Sequence, residues 1–108
     1  MEAGVITLIR GKNEANDTEF YFTELVSYDN FDIVVNAIKN IGLILINNYD
    51  GIYSRAAQFQ SNGKGFEILY HEDVGIYAVS NNQLDTDWLN KVLIDIIDII
   101  NAENNISQ

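Results

Sequence analysis

Between Gly42 and Ser80 apolar runs alternate with tight-turn dipeptides, and this alternation leaves the chain little choice of local structure. Leu43-Ile44-Leu45-Ile46 is continuously apolar, and Asp50-Gly51 follows it. Ile52 to Gln60, Phe66 to His71 and Gly75 to Ser80 come next, separated by Ser61-Asn62-Gly63-Lys64 and Glu72-Asp73. Asp-Gly and Asn-Gly between apolar runs signal hairpins, because a type I′ turn needs positive φ at both central residues. The pattern predicts a four-strand antiparallel meander. With two-residue turns at Asp50-Gly51, Asn62-Gly63 and Glu72-Asp73, Tyr49 faces Ile52, Leu45 faces Ala56, Phe59 faces Phe66 and Leu69 faces Ile76. Opposed residues share a face and successive residues switch faces. The expected core face then carries Ile44, Ile46, Ala57, Phe59, Phe66, Ile68, Tyr77 and Val79. The other face carries Leu43, Leu45, Ala56, Gln58, Glu67, Leu69, Ile76 and Ala78. A slip of one residue at any turn exchanges the faces of the strand beyond it.

The flanks supply two more strands and two helices. Val5 to Arg10 and Thr18 to Leu25 read as strands joined by the polar loop Gly11 to Asp17. Phe31, Val34, Val35, Ile38 and Ile41 recur at helical spacing. Asp29 or Asn30 is the expected cap, Asp32 complements the helix dipole, and Gly42 stands at the C-terminal stop. A last helix begins near Asp85-Thr86-Asp87. Its apolar set, Trp88, Leu89, Val92, Leu93, Ile96, Ile97, Ile99 and Ile100, is wide enough to fill a groove across a sheet. The order β-β-α-β-β-β-β-α predicts an α+β fold, a mostly antiparallel sheet with two helices packed on one face. The chain reads as a single domain over 1–108, with 103–108 a polar tail.

Composition removes several kinds of chemistry. The absence of cysteine excludes disulfides, thiol catalysis, thiolate zinc sites and iron–sulfur clusters. Met1-Glu2-Ala3-Gly4 has no base and Val5 to Ile9 is short for a signal core, so no secretory signal is expected and a cytoplasmic location is. No run reaches the length of a membrane span. Sixteen acids against six bases give a formal net charge of −10. That charge disfavours direct binding to nucleic acid or to an anionic membrane, and favours a basic partner.

No catalytic or metal-binding pattern accompanies the charge. His71, the single histidine, lies in His71-Glu72-Asp73, where turn neighbours do not form the spatially separate partners that a metal or a general base requires. Asp85 and Asp87, like Glu72 and Asp73, are already explained by capping and turn chemistry. Asn47-Asn48-Tyr49-Asp50-Gly51 lacks the ligand spacing of a calcium loop, and Gly63-Lys64-Gly65 lacks that of a phosphate loop. The expectation is therefore no catalytic residues, no metal and no cofactor. Three alternatives stand beside a binding role. One is a small ligand-binding or enzymatic domain with its site on the sheet near His71, between Tyr70, Tyr77 and the last helix. Another is an acidic mimic of nucleic acid. The third is a structural or assembly subunit, a homo-oligomer that buries Leu43, Leu45, Leu69 or the spare edge of the last helix.

Two windows without bases carry the binding reading. Between Lys12 and Lys39 lie Glu14, Asp17, Glu19, Glu24, Asp29 and Asp32, interleaved with Phe20, Tyr21, Phe22, Tyr28 and Phe31. Between Lys64 and Lys91 lie Glu67, Glu72, Asp73, Asp85 and Asp87. Carboxylates around a few aromatic anchors compose a hot spot for a basic protein. The expected partner-binding residues are Glu14, Asp17, Glu19, Glu24, Tyr28, Asp29, Glu72 and Asp73. With these windows and a β-rich core carrying Gly65-Phe66-Glu67-Ile68-Leu69-Tyr70 and Val74-Gly75-Ile76-Tyr77-Ala78-Val79, the chain resembles the small acidic immunity proteins of bacterial toxin–immunity systems, including those of contact-dependent growth inhibition. The resemblance is one of overall character. It implies a cytoplasmic monomer or weak homodimer that binds a cognate basic toxin domain, often a nuclease, and covers its active site without catalysis of its own.

Overall fold

The computed structural model describes residues 5–106, with side chains from Val5 to Glu103. Strands β1 (Leu8–Lys12) and β2 (Thr18–Phe22) are followed by helix α1 (Asn30–Asn40). Strands β3 (Ile44–Asp50), β4 (Ser54–Ser61), β5 (Lys64–His71) and β6 (Gly75–Ser80) then lead through one 3-10 turn, Gln83–Asp85, into helix α2 (Thr86–Ile106). All six strands form one antiparallel sheet in the order β1-β2-β6-β5-β4-β3. The meander thus starts at the far edge and walks back until β6 pairs with β2. The fold is α+β, as the element order predicts.

Both helices pack on one face of the sheet. Phe31, Val34, Ala37 and Ile38 of α1 and Leu89, Val92, Leu93, Ile96, Ile97 and Ile100 of α2 meet Phe20, Phe59, Phe66, Ile68, Ile76 and Ala78 of the strands in one core. The wide apolar surface of α2 is used there: among its described isoleucine side chains only Ile94 is exposed. Asn101 adds a tether, its side-chain amide accepting from Ile6 N at 3.1 Å and donating to Ile6 O at 3.2 Å. Ile6 is thereby buried against the core ahead of β1, so the first strand starts three residues later than the apolar run. The expected polar tail begins inside α2, which continues to Ile106; residues 107–108 lie outside the described residues.

The start of α1 is capped one turn earlier than expected. Asp29 makes no side-chain cap bond. Ser27 Oγ accepts from Asn30 N at 3.2 Å, and Asn30 Oδ1 accepts from Ser27 N at 3.2 Å. This is the reciprocal arrangement of a capping box. Gly42 takes φ +97° at the helix stop, a conformation that costs glycine little. Ahead of α2, Asn82 caps the 3-10 turn, accepting from Leu84 N at 3.0 Å, and the Thr86 hydroxyl donates to Gln83 O at 2.7 Å.

The meander's registers hold at one turn and shift at two. Asn62-Gly63 is the expected two-residue turn, with Phe59 opposite Phe66 and Ala57 opposite Ile68. At the first hairpin Tyr49 faces Ala56, not Ile52, because Asp50 pairs across the strands with Arg55 and binds it. The ion pair outweighs the Asp-Gly turn preference. Gly51 serves another purpose there: an added Cβ would stand 2.7 Å from the Tyr49 hydroxyl. A register shift between Leu45 and Asn47 then turns Leu45 towards the core opposite Phe59, leaving Ile44 and Ile46 exposed instead of buried.

At the last hairpin the loop has three residues, Glu72 to Val74, and His71 faces Gly75. Gly75 adopts φ +93°, as the residue after a three-residue hairpin loop does. That single extra residue exchanges the faces of β6. Ile76 and Ala78 are buried, whereas Tyr77 and Val79 lie on the opposite face. The exchange also spares the core a phenol hydroxyl needing a partner.

Candidate functional site

Arg55 is the organising residue of one end of the sheet. It is 7% exposed and enters from the first position but one of β4. Its guanidinium donates from Nε to Asp50 Oδ1 at 2.8 Å, from one terminal nitrogen to Asp32 Oδ1 at 2.8 Å, and from the other to Tyr28 O at 3.1 Å. It also lies over the rings of Tyr28 and Phe31, 4.7 and 4.8 Å from their centroids. A planar guanidinium is suited to three donors and two ring faces at once; an ammonium is not. The hydrogen bond from Arg55 holds the Asp32 carboxyl below the usual carboxylate range, and the two carboxylates raise Arg55 further above its already high value.

Three loops converge on this centre. The segment 23–29 brings Tyr28, whose hydroxyl donates to Gly51 O at 3.1 Å and whose ring meets Tyr70 edge-on at 5.7 Å. The β3–β4 loop is joined to the β5–β6 loop by Glu72 N donating to Tyr53 O at 3.1 Å. The β5–β6 loop touches the first segment where Gly75 packs beside Val26. Around the rim, Val26, Ile52, Tyr53 and Val74 are exposed by 52%, 82%, 61% and 52%. Large apolar groups left in water at one end of a small domain are the composition of a contact surface. Glu24, Asp29, Asp32, Asp50, Glu72 and Asp73 are exposed at the same end, and Arg55 is the base among them. Asp32 and Asp50 take up its charge; among the described residues Glu24, Asp29 and Glu72 have no ion-pair partner, and Asp73 has only the His71 ring, 3.9 Å away.

Of the expected binding residues, Glu24, Tyr28, Asp29, Glu72 and Asp73 meet at this end. Tyr28 is half-buried and serves mainly to hold Arg55 and Gly51. Glu14 and Asp17 belong to the β1–β2 loop at the opposite end, about 25 Å away along strands of this length. Glu19 lies on the open face of the sheet, where it accepts hydrogen bonds from the Tyr21 hydroxyl and from Asn13 Nδ2. The expected set is therefore one cluster of five with three residues outside it. Asp32, Asp50, Arg55, Ile52 and Tyr53 belong to the cluster and were not among the expected residues. That Arg55 is the lone Lys or Arg between Lys39 and Lys64 was the available signal.

His71 is half-exposed, and its Nδ1 accepts from Asp73 N at 3.1 Å within the turn. Tyr70 points into the core and Tyr77 to the open face, so the two do not share a pocket. Among the described residues no group of three or more His, Cys, Asp or Glu is placed to hold a metal ion, and no helix is long and apolar enough to cross a membrane.

Comparison with known proteins finds no matching family, no similar curated protein and no similar solved structure.

Proposed function

We propose that this chain is an acidic protein-binding module, an immunity protein that neutralises a basic, nuclease-type toxin by covering its active site. The observation that carries the reading is the loop end around Arg55: exposed apolar side chains ringed by carboxylates, with the local base already neutralised by Asp32 and Asp50. A nuclease binds its phosphodiester substrate with Lys and Arg. A rigid carboxylate rim competes for those groups, while Ile52, Tyr53 and Val74 supply the desolvated contact that charge alone does not. No catalytic group or cofactor takes part, and the expected setting is the cytoplasm, as a monomer or weak homodimer. The split of the acids between two ends, with an aromatic face between them, fits a protein partner better than a mimic of regularly spaced phosphates.

The test is capture of partners from the source organism on the immobilised protein, washed first at low and then at high salt, followed by a nuclease assay of the captured partner. A single basic partner whose nuclease activity is lost in the complex is the expected result. A partner that stays active when bound, or no specific partner, overturns the reading.

A further inference from the structure

Among the described residues nothing covers the sheet face away from the helices. Its middle is a cross-strand row that runs over all six strands: Ile9, Tyr21, Tyr77, Leu69, Ala56, Tyr49. A solvated sheet face is ordinarily polar; this row is apolar or aromatic throughout. Tyr21 and Tyr77 pack together with centroids 5.8 Å apart. Gly11 leaves room for the Tyr21 ring, since a Cβ there would stand 3.1 Å from it. The neighbouring row carries Glu19, Val79 and Glu67 side by side.

The charge on the two faces differs in kind. None of the chain's six bases is on the open face. Arg10 lies over Phe20, Lys12 binds Thr18, Arg55 binds Asp32 and Lys64 lies over Trp88, all on the helix side. Lys39 and Lys91 are on the helices themselves. Glu67 has no hydrogen-bond or ion-pair partner among the described residues. A depression of about 70 Å³ opens beside it, floored by Ala56 and walled by Tyr49, Gln58 and Asn47. That volume is far below the several hundred Å³ of a small-molecule site and matches the end of one side chain.

We propose that the docking surface for the basic partner extends from the loop end onto this open face, and that the depression here seats one partner Arg or Lys. This inference rests on the reading that the chain binds a basic protein, and it places the contact. The stem of the cation lies on Ala56 and the Tyr49 ring, its head meets Glu67, and the Tyr21–Tyr77 pair takes apolar contact beside it. A second copy of this chain is a poor occupant, because it would bring Glu19 and Glu67 against their like with no base to receive them.

The test is amide chemical-shift mapping on the isotope-labelled full chain, titrated with an extended peptide of alternating Arg and Val and, separately, with its Glu and Val counterpart. The expected result is that the Arg peptide alone shifts Tyr49, Ala56, Gln58, Glu67 and Leu69. Glu67→Gln weakens that binding about three- to fivefold, the worth of a partly exposed ion pair, and Ala56→Lys, which fills the depression with a base, abolishes it. Both variants keep the native amide spectrum elsewhere. Shifts confined to Glu24, Asp29, Glu72 and Asp73 would overturn this placement and leave the binding reading intact. Open-face shifts that follow protein concentration rather than peptide would assign the face to a second copy and overturn the proposal. Equal response to the two peptides, or none to either, would overturn both.

Discussion

Arg55 ties three parts of this molecule together: it joins β4 to β3 through Asp50, to α1 through Asp32 and to the preceding loop through Tyr28 O. Arg55→Ala is expected to cost about 2 kcal/mol in chemical denaturation. It orphans Tyr28 O and empties the space between two rings, while Asp32 and Asp50 are exposed enough to rehydrate. Arg55→Lys recovers only part of that loss, because one ammonium cannot reproduce the fork. The open face offers a second residue-scale test. Tyr21 is pushed up to about 12, first by the hydrogen bond it donates to Glu19 and then by burial. A group raised in the folded state stabilises the fold fully below its ordinary value of 10.0 and loses that contribution as pH rises through about 12. Tyrosine absorbance is therefore expected to titrate with a late component, which Glu19→Ala moves back towards 10.0; a titration unchanged by that substitution would contradict the contact. Tyr77 is raised as well, chiefly by burial and then by Glu19 and Glu67.

At the scale of elements the turns decide the faces. Gly75→Ala is expected to destabilise by about 1–2 kcal/mol, since alanine resists φ +93° and its Cβ would press on Val26 at 3.3 Å. Gly51→Ala is expected to cost less, because its backbone is not in the left-handed region; the Tyr49 hydroxyl can swing away and only the Ser54 carbonyl, at 3.1 Å, has to give. Equal losses in thermal melts would contradict the turn assignment. These two glycines also show where the sequence stopped being legible. Helical periodicity located both helices, and Asn62-Gly63 set its hairpin correctly, because those signals are local. The Asp50-Gly51 turn was displaced by Arg55, a partner whose preference depends on Asp32 more than twenty residues earlier in the chain. The β5–β6 loop length turned on whether Glu72-Asp73 or Glu72-Asp73-Val74 formed the bend, and composition does not separate the two. The consequence was large: Tyr77 and Val79 moved from the expected core to the open face, where Tyr77 completes the aromatic row. The loop cluster was legible in part, through its acids. Its apolar rim was not, because Ile52 and Val74 are indistinguishable in sequence from strand residues until the loops are placed.

For the whole molecule the excess of acid is a statement about association. A net charge of −10 steers a basic partner at long range, and the effect weakens as salt shortens the Debye length to about 10 Å at 0.1 M. The charge is also unevenly placed: the open face carries no Lys or Arg, while carboxylates lie at the loop end, on the open face and along α2 at Asp87, Asp95 and Asp98. The sheet thus separates a packed core from an uncovered face, with Arg55 fixing the loops at one end. The most direct test of this account is the association rate with the captured basic partner as a function of ionic strength. It should be measured for the wild-type chain and for a variant combining Glu24→Lys, Asp29→Lys, Glu72→Lys and Asp73→Lys. The account predicts a rate that falls steeply with salt in the wild type, and a variant at least tenfold slower at low salt with a flat or reversed salt dependence. Identical rates and slopes for the two proteins would contradict it.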